Sequence, residues 1–359
     1  MKNIFNTEAT YGDTEIFFGD PPGVVDTIHQ PHPELKRLYD EAISFMWNEG
    51  EFSFESCRND FDKMDHSAEI LQKTILWQWE ADSVVSRSLL PLFAPFITDP
   101  TCAACFSFNN TMEMIHSITY SEIVRNSFKN PKEVLENLHN EVETFNRLSK
   151  VGEVLEDLYI TGHKYSLNQI SIEEAFPSLY LGLVAVYCLE ALSFISSFAI
   201  TFGVCETGRF QAIGQAVKKI ANDELYIHAS VDLYCLKHLE TQSKLAHLIT
   251  PELKEKAKQI VEEVEKSEFE WTDYLFEGKS IPGLTPNLIK DWATFNAQNI
   301  KTNLGIEHTK HIKSNPIPWI NSWITGAIQA APMEQDITSY VVGAIDNDLS
   351  SLDDLDLDF

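Results

Sequence analysis

A carboxylate, an imidazole and a phenol recur at helical spacing in one short segment of the chain. Glu113, His116 and Tyr120 are separated by steps of three and four residues, which places them on one face of an α-helix, each about one turn from the next. The surrounding residues 101–123 are mostly apolar or small, which predicts a buried helix. A buried carboxylate is costly unless something neutralises it, and a metal ion does so. The segment therefore predicts a metal site.

A second carboxylate lies in a far more apolar stretch. Between Glu174 and Glu206 lie 31 residues, and Glu190 is the only charged one among them. The stretch is long enough to span a bilayer, but a charge near its centre would cost about 3 kcal/mol or more there. No signal peptide, basic flank or second span accompanies it. We therefore expect the buried helix of a large soluble, cytoplasmic bundle and no membrane insertion.

Two further helical patterns add acidic groups and a second histidine. Asp82 lies in the pattern at 71–90, and Asp223, Glu224 and His228 lie in a later one. The inventory is then two helices that each give a Glu and a His, and two that each give one carboxylate. Four-helix bundles build di-iron and di-manganese sites from such a set, and carboxylate and imidazole suit both metals. As an alternative, Asp82 has polar neighbours and could form an ordinary surface hydrogen bond.

Another Glu–His pair has the same three-residue step in different surroundings. Glu136 and His139 lie in a segment that charged residues crowd: Lys132, Glu133, Glu141, Glu143 and Arg147. That pattern is typical of a solvated amphipathic face. We predict no metal there.

Composition excludes some functions. The net charge of −27 argues against nucleic-acid binding, which needs clustered Lys and Arg. Six cysteines without a secretory signal indicate reduced cytosolic thiols. Cys102 and Cys105 have the spacing of a redox or zinc pair, but no second pair accompanies them, so we interpret them as small buried hydrophobes.

The periodicity predicts an all-α protein, with helices at 34–48, 64–94, 100–128, 131–149, 150–166, 171–204, 207–241, 251–276 and 284–304. We predict that residues 1–33 form an extended arm, 34–313 the helical bundle, and 314–359 a C-terminal segment with a disordered acidic end.

Several motifs in their order and spacing resemble the small (β, R2) subunit of class I ribonucleotide reductase, and the likeness covers nearly the whole chain. The matching segments are 81–88, 113–120, 190–198, 223–224, 314–320 and 340–346. The resemblance implies a ferritin-like di-metal carboxylate bundle, in which two metal ions, iron or manganese, react with O₂. The metal ligands it implies are Asp82, Glu113, His116, Glu190, Glu224 and His228.

The resemblance also assigns roles around that centre. Tyr120 would carry a tyrosyl radical, and Phe194 and Phe198 would form its dry pocket. As isolated residues, the tyrosine and both phenylalanines would be ordinary core.

The spacing of one ligand pair departs from the family pattern. The family separates this Glu and His by three residues, whereas Glu224 and His228 are four apart. A π-bulge absorbs one residue and is frequent at functional sites, so it could return His228 to the metal. The alternative is an altered second metal position, with Tyr226 or water nearby.

A relay to a second subunit is implied as well. The chain lacks the substrate-site cysteines of the large (α) subunit, so the oxidising equivalent must leave it. Trp47 and Asp223 match the start of the family's relay and Tyr340 its end. The acidic tail, with anchors at Leu352, Leu355, Leu357 and Phe359, would dock on the α subunit, and the bundle would form a homodimer.

Two other hypotheses stay open. A di-metal oxidase on the same bundle would explain the ligands but not Trp47, Tyr340 and the tail. A catalytically silent paralogue is suggested by the irregular step from Glu224 to His228.

Overall fold

The computed structural model describes residues 6, 8, 14–138 and 142–324. Within these ranges the backbone is helical apart from loops and two isolated β-bridges. Two π-helical turns, Leu189–Phe194 and Asp223–His228, interrupt long helices. The α-helices are α1 Pro33–Ser44, α2 Cys57–Phe61, α3 His66–Phe93, α4 Pro100–Ser127, α5 Pro131–Leu138, α6 Val142–Ser166, α7 Ile172–Cys188, α8 Ile195–Cys205, α9 Gln211–Asn222, α10 Ala229–Thr241, α11 Pro251–Phe276, α12 Pro286–Asn303 and α13 Asn321–Ile324.

Side-chain caps mark the start of the long helices. Asp65, Asp99, Thr250 and Thr285 each accept a hydrogen bond from the main-chain N–H three residues later. Such caps satisfy donors that a helix leaves unpaired at its first turn. A proline follows directly in α4, α11 and α12, where its fixed φ suits the first helical position.

Four helical stretches surround the centre of the molecule. Helix α3 lies along α4 and also contacts α8. The stretch α7–α8 meets the stretch α9–α10 where the two π turns touch, and the second π turn also contacts α4. Helices α6, α11 and α12 pack on the outside of α7 and α8. The all-α bundle predicted from the sequence is confirmed.

The apolar stretch around Glu190 lies inside this bundle. By length and composition Ile172–Cys205 could cross a membrane, but 94% of its most apolar window is buried in the protein. A buried core helix also meets these criteria of length and composition. Because almost all of the stretch is buried against other helices, we interpret it as a core helix of the bundle.

The structure corrects the sequence analysis at several points. The predicted break between residues 149 and 150 is absent, since α6 runs without interruption from Val142 to Ser166. Helix α9 begins at Gln211 instead of residue 207, because Gly208 and Phe210 adopt left-handed conformations at φ 84° and 55°. Residues 171–204 and 207–241 do not form plain α-helices, because each contains a π turn.

The predicted solvated face at 131–149 is only partly correct. Glu136 is exposed, as expected, but Arg147 is 3% exposed and belongs to the core. His139 lies outside the described residues. So do Tyr340 and the acidic tail, and the boundaries of the arm and the C-terminal segment remain predictions.

Candidate metal centre

The six predicted ligand side chains meet at the centre of the bundle, and each residue is at most 3% exposed. Helix α3 carries Asp82 and α4 carries Glu113 and His116. The first π turn carries Glu190, and the second carries Glu224 and His228.

Their ligand atoms form two overlapping groups. In one, Asp82, Glu113, His116 and Glu224 each place an atom within 4.8 Å of the others'. In the other, Glu113, Glu190, Glu224 and His228 do so. Glu113 and Glu224 belong to both groups, so their two oxygens can bridge two metal positions.

The second π turn brings His228 into the site. A π turn holds one residue more than an α turn, so residues four apart come closer to the same face. His228 Nδ1 lies 2.8 Å from Glu224 Oε2 and 2.9 Å from Glu113 Oε1. The bulge suggested by the four-residue step is therefore present. The first π turn, at Glu190, had no counterpart in the sequence analysis.

Many atoms of the cluster make no hydrogen bond of good geometry, although His228 Nδ1 is close to Glu113 Oε1 and His116 Nδ1 lies 3.0 Å from Glu224 Oε1. The atoms concerned are both oxygens of Asp82 and of Glu113, Glu190 Oε2, Glu224 Oε1, His116 Nδ1 and His228 Nε2. An unsatisfied buried polar atom costs about 1–3 kcal/mol, so such a concentration needs an explanation. Two divalent cations would give these atoms ligand bonds, and the donor set suits iron and manganese. The residues present fit a di-metal centre.

The acidic groups and imidazoles of the cluster shift one another's pKa values strongly. Burial favours the neutral form of His228, but Glu224 and Glu113 outweigh burial and raise its pKa to about 10. The pKa of His116 is raised for the same reason. Burial, with the charges of Glu224 and Glu113, raises the pKa of Glu190 well above its usual range. The shifts share one cause, the crowding of buried carboxylates around two imidazoles, and such a cluster favours the binding of cations.

Asp82 is buried and not at the surface. It is 0% exposed and neither oxygen has a hydrogen-bond partner, which excludes the surface hydrogen bond considered above. Burial and the charges of Glu113 and Glu224 raise its pKa. Burial beside two other carboxylates is an environment that favours the binding of a cation.

Tyr120 lies beside the cluster in a closed environment. It is 0% exposed, and its hydroxyl has no hydrogen-bond partner. Burial and the nearby charge of Asp82 raise its pKa, so the phenol keeps its proton. Phe194 and Phe198 are also 0% exposed, with ring centroids 5.9 Å apart.

A hydrogen-bonded chain leads from the cluster towards Trp47. Trp47 Nε1 donates to Asp223 Oδ2 at 2.7 Å, and the same oxygen lies 3.0 Å from His116 Nε2. The rings of Trp47 and His116 are stacked with centroids 5.7 Å apart. Because Asp223 engages Nε2, the Nδ1 atom of His116 is left to face the carboxylates.

Sequence reasoning missed two features next to the site. Asp232 is 3% exposed and one turn beyond His228, and burial raises its pKa to about 8. Its signal was an acidic residue four positions after a ligand on the same helix. Arg147 and Glu268 form an ion pair whose side chains are each 1% exposed, and no spacing in the sequence links them.

The cysteines agree with the interpretation as buried hydrophobes. All six are free and buried, including Cys102 and Cys105. Burial raises the pKa of both thiols, as expected for unreactive cysteines in an apolar setting.

Known proteins resemble this chain along most of its length. A β subunit of ribonucleoside-diphosphate reductase 1 from Escherichia coli O157:H7 is 27% identical over 359 residues, covering 95% of this chain and 94% of the relative. The β subunit from Enterobacteria phage T4 is 26% identical and covers 97% of each chain.

Solved structures share the fold. The ribonucleotide reductase R2 subunit from Clostridium botulinum superposes with a TM-score of 0.79 at 20% identity, over 90% of this chain and 98% of that one. A dimanganese(II) NrdF from Streptococcus sanguinis gives 0.68 at 15% identity, over 85% and 99%. These neighbours confirm the predicted ferritin-like bundle. The family model for the ribonucleotide reductase small chain matches residues 26–316, and the chain therefore belongs to that family.

Proposed function

We propose that this chain is the radical-generating small subunit of a class I ribonucleoside-diphosphate reductase. One observation carries the proposal: six buried ligand side chains form two groups that share Glu113 and Glu224, with a buried, unpartnered phenol beside them. Asp82 and His116 would complete one metal position, and Glu190 and His228 the other. Iron is expected, and the dimanganese(II) relative supports manganese as the alternative.

Tyr120 is the proposed radical residue. Bound in this site, two redox-active ions would supply, together with O₂, a one-electron oxidant for the phenol. Tyr120 would lose one electron to that oxidant and its hydroxyl proton to the neighbouring cluster, in which Asp82 has the largest charge effect on the phenol, so that a neutral radical remains. Tyr120 is fully buried, which would keep water from that radical, and Phe194 and Phe198, also fully buried, are the proposed lining of its pocket.

Trp47 is the proposed first residue of the outward relay. An indole that loses an electron becomes a far stronger acid than neutral indole, and Asp223 Oδ2, which already accepts the Nε1–H hydrogen bond, is placed to take that proton. The oxidising equivalent would pass on to Tyr340 and then to the α subunit. Tyr340 and the docking tail are outside the described residues, so their part rests on the sequence resemblance alone.

A second copy of this chain is the proposed partner for the outer face of α3 and α4. Val84, Met114 and Ile118 are exposed on these helices by 46%, 42% and 39%. A contiguous exposed apolar surface marks a site of protein–protein contact, and the commonest oligomer is a twofold-symmetric dimer of one chain. We propose a homodimer that works in the cytoplasm.

Metal loading followed by electron paramagnetic resonance tests the proposal. Metal-free protein would be loaded anaerobically with Fe(II), exposed to air, and assayed for metal content and for a tyrosyl doublet, with Tyr120→Phe as control. Two metals and a doublet that the control lacks support the proposal. Metal without a radical favours the di-metal oxidase, and failure to bind metal favours the silent paralogue.

A further inference from the structure

Arg147 is a buried cation on α6. Its Nε donates to Glu268 Oε1 at 2.8 Å and its Nη2 to Glu268 Oε2 at 2.7 Å, so the pair is bidentate. Burial lowers the pKa of Arg147, and the charge of Glu268 opposes that shift. Buried ion pairs contribute little net stability, because the loss of hydration offsets their attraction. The pair therefore calls for another explanation.

The remaining donors of the guanidinium reach the helix that carries Glu190. Nη2 donates to the main-chain oxygen of Ser193 at 2.8 Å, and Nη1 donates to Ser197 Oγ at 2.9 Å. Ser193 lies within the π turn Leu189–Phe194, and Ser197 lies in the turn after it. The guanidinium thus bonds both sides of the point where the π turn rejoins the α-helix.

The guanidinium of Arg147 also makes cation–π contacts with two tryptophan rings. Its central carbon lies 3.6 Å from the ring centroid of Trp77 and 5.0 Å from that of Trp271. Trp77 in turn contacts Phe194, the last residue of the π turn, with centroids 5.3 Å apart. Trp77 lies on α3, the helix that also carries Asp82. Arg147, on α6, therefore contacts the π turn together with α3 and α11.

We infer that Arg147 is a positioning residue for Glu190. A planar fork of donors, held by Glu268 and stacked on Trp77, fixes the backbone of the π turn and with it the direction of the Glu190 carboxylate. A π turn is less regular than the α-helix around it, so hydrogen bonds from Arg147 at its end limit the number of backbone conformations that the turn can adopt. The inference rests on the proposed metal centre, and it assigns Arg147 to one metal position only, since Glu190 belongs to one of the two groups.

The test replaces both charges at once. Arg147→Met combined with Glu268→Leu leaves no unpaired buried charge, so the variant is expected to fold. Arg147→Lys keeps a charge but loses the fork. The control is Arg209→Met, because Arg209 also joins a carboxylate, Asp65, to main-chain oxygens, but at a loop near the surface.

Two measurements separate positioning from general stability. Hydrogen exchange of the metal-free protein reports on the π turn, and calorimetric titration with Mn(II) reports on each metal position. We expect exchange in 189–198 to accelerate at least tenfold in both Arg147 variants. We also expect one Mn(II) affinity to fall at least tenfold while the other stays within twofold, and both to be unchanged in the control.

Equal weakening of both positions, or unchanged exchange at 189–198, would overturn the inference. If the parent protein itself binds no Mn(II), the proposed metal centre fails. The exchange data on metal-free protein then decide alone whether Arg147 orders this turn.

Discussion

Replacing Tyr120 by phenylalanine should remove the radical without destabilising the protein. The Tyr120 hydroxyl is fully buried and has no partner within the described protein. Removing an unsatisfied buried hydroxyl should stabilise the metal-free fold by about 1 kcal/mol, roughly 1–3 °C in unfolding temperature. Most buried tyrosines behave in the opposite way, because their hydroxyl has a partner.

Tyr180 supplies the matched control. It is also 0% exposed, but its hydroxyl donates to Glu240 Oε1 at 2.7 Å. Tyr180→Phe breaks a hydrogen bond to a charged group and should cost about 1.5–3 kcal/mol. Both variants remove one oxygen from a buried ring, so size and hydrophobicity change equally.

The assay combines thermal unfolding of metal-free protein with electron paramagnetic resonance after Fe(II) and O₂. Tyr120→Phe should unfold at or above the parent's temperature and give no doublet, whereas Tyr180→Phe should unfold lower and keep the doublet. If Tyr120→Phe were destabilised as much as Tyr180→Phe, its hydroxyl would have a structural partner. If it kept the doublet, the radical would reside elsewhere.

Three further predictions concern the second metal position, pH and the tail. His228→Ala should lower bound metal below two per chain by elemental analysis, whereas His163→Ala, on the exposed end of α6, should not. The pKa of Asp232 is raised to about 8 in the folded protein, so the stability gained from its protonated form is full below about pH 4 and is lost as pH rises through about 8. The free energy of unfolding of the metal-free protein should therefore fall by up to about 4 kcal/mol between about pH 5 and about pH 8. Asp232→Asn should flatten that decline, as measured by urea titrations at each pH. Deleting 349–359 should leave the radical yield unchanged but abolish tight binding to the α subunit in a pull-down titration, while Tyr340→Phe should bind normally and block turnover.

Much of the site could be predicted because charges are rare in apolar helices. Glu190 was conspicuous as the only charge among 31 residues. Glu113 and His116 were conspicuous because burying a carboxylate in a mostly apolar helix is costly unless a metal ion or another partner neutralises it. The same logic failed for Arg147, since its segment holds many charges and nothing marks the one that turns inward. Its partner Glu268 is 121 residues away, so only the tertiary structure brings the two together.

The two π turns explain why helical spacing was a good but incomplete guide to this centre. A regular α-helix fixes the angle between the Cα–Cβ bonds of every pair of residues, so the point from which a side chain starts can be redirected only by moving the whole helix or by changing the helical period locally. Packing prevents the first, because the apolar stretch around Glu190 is buried on all sides. The structure shows a local change of helical period instead: the stretch α7–α8 and the stretch α9–α10 each contain a π turn, and the two π turns contact each other. The four-residue step from Glu224 to His228 is therefore accommodated within the second π turn, and the regular α-helix resumes directly after it as α10.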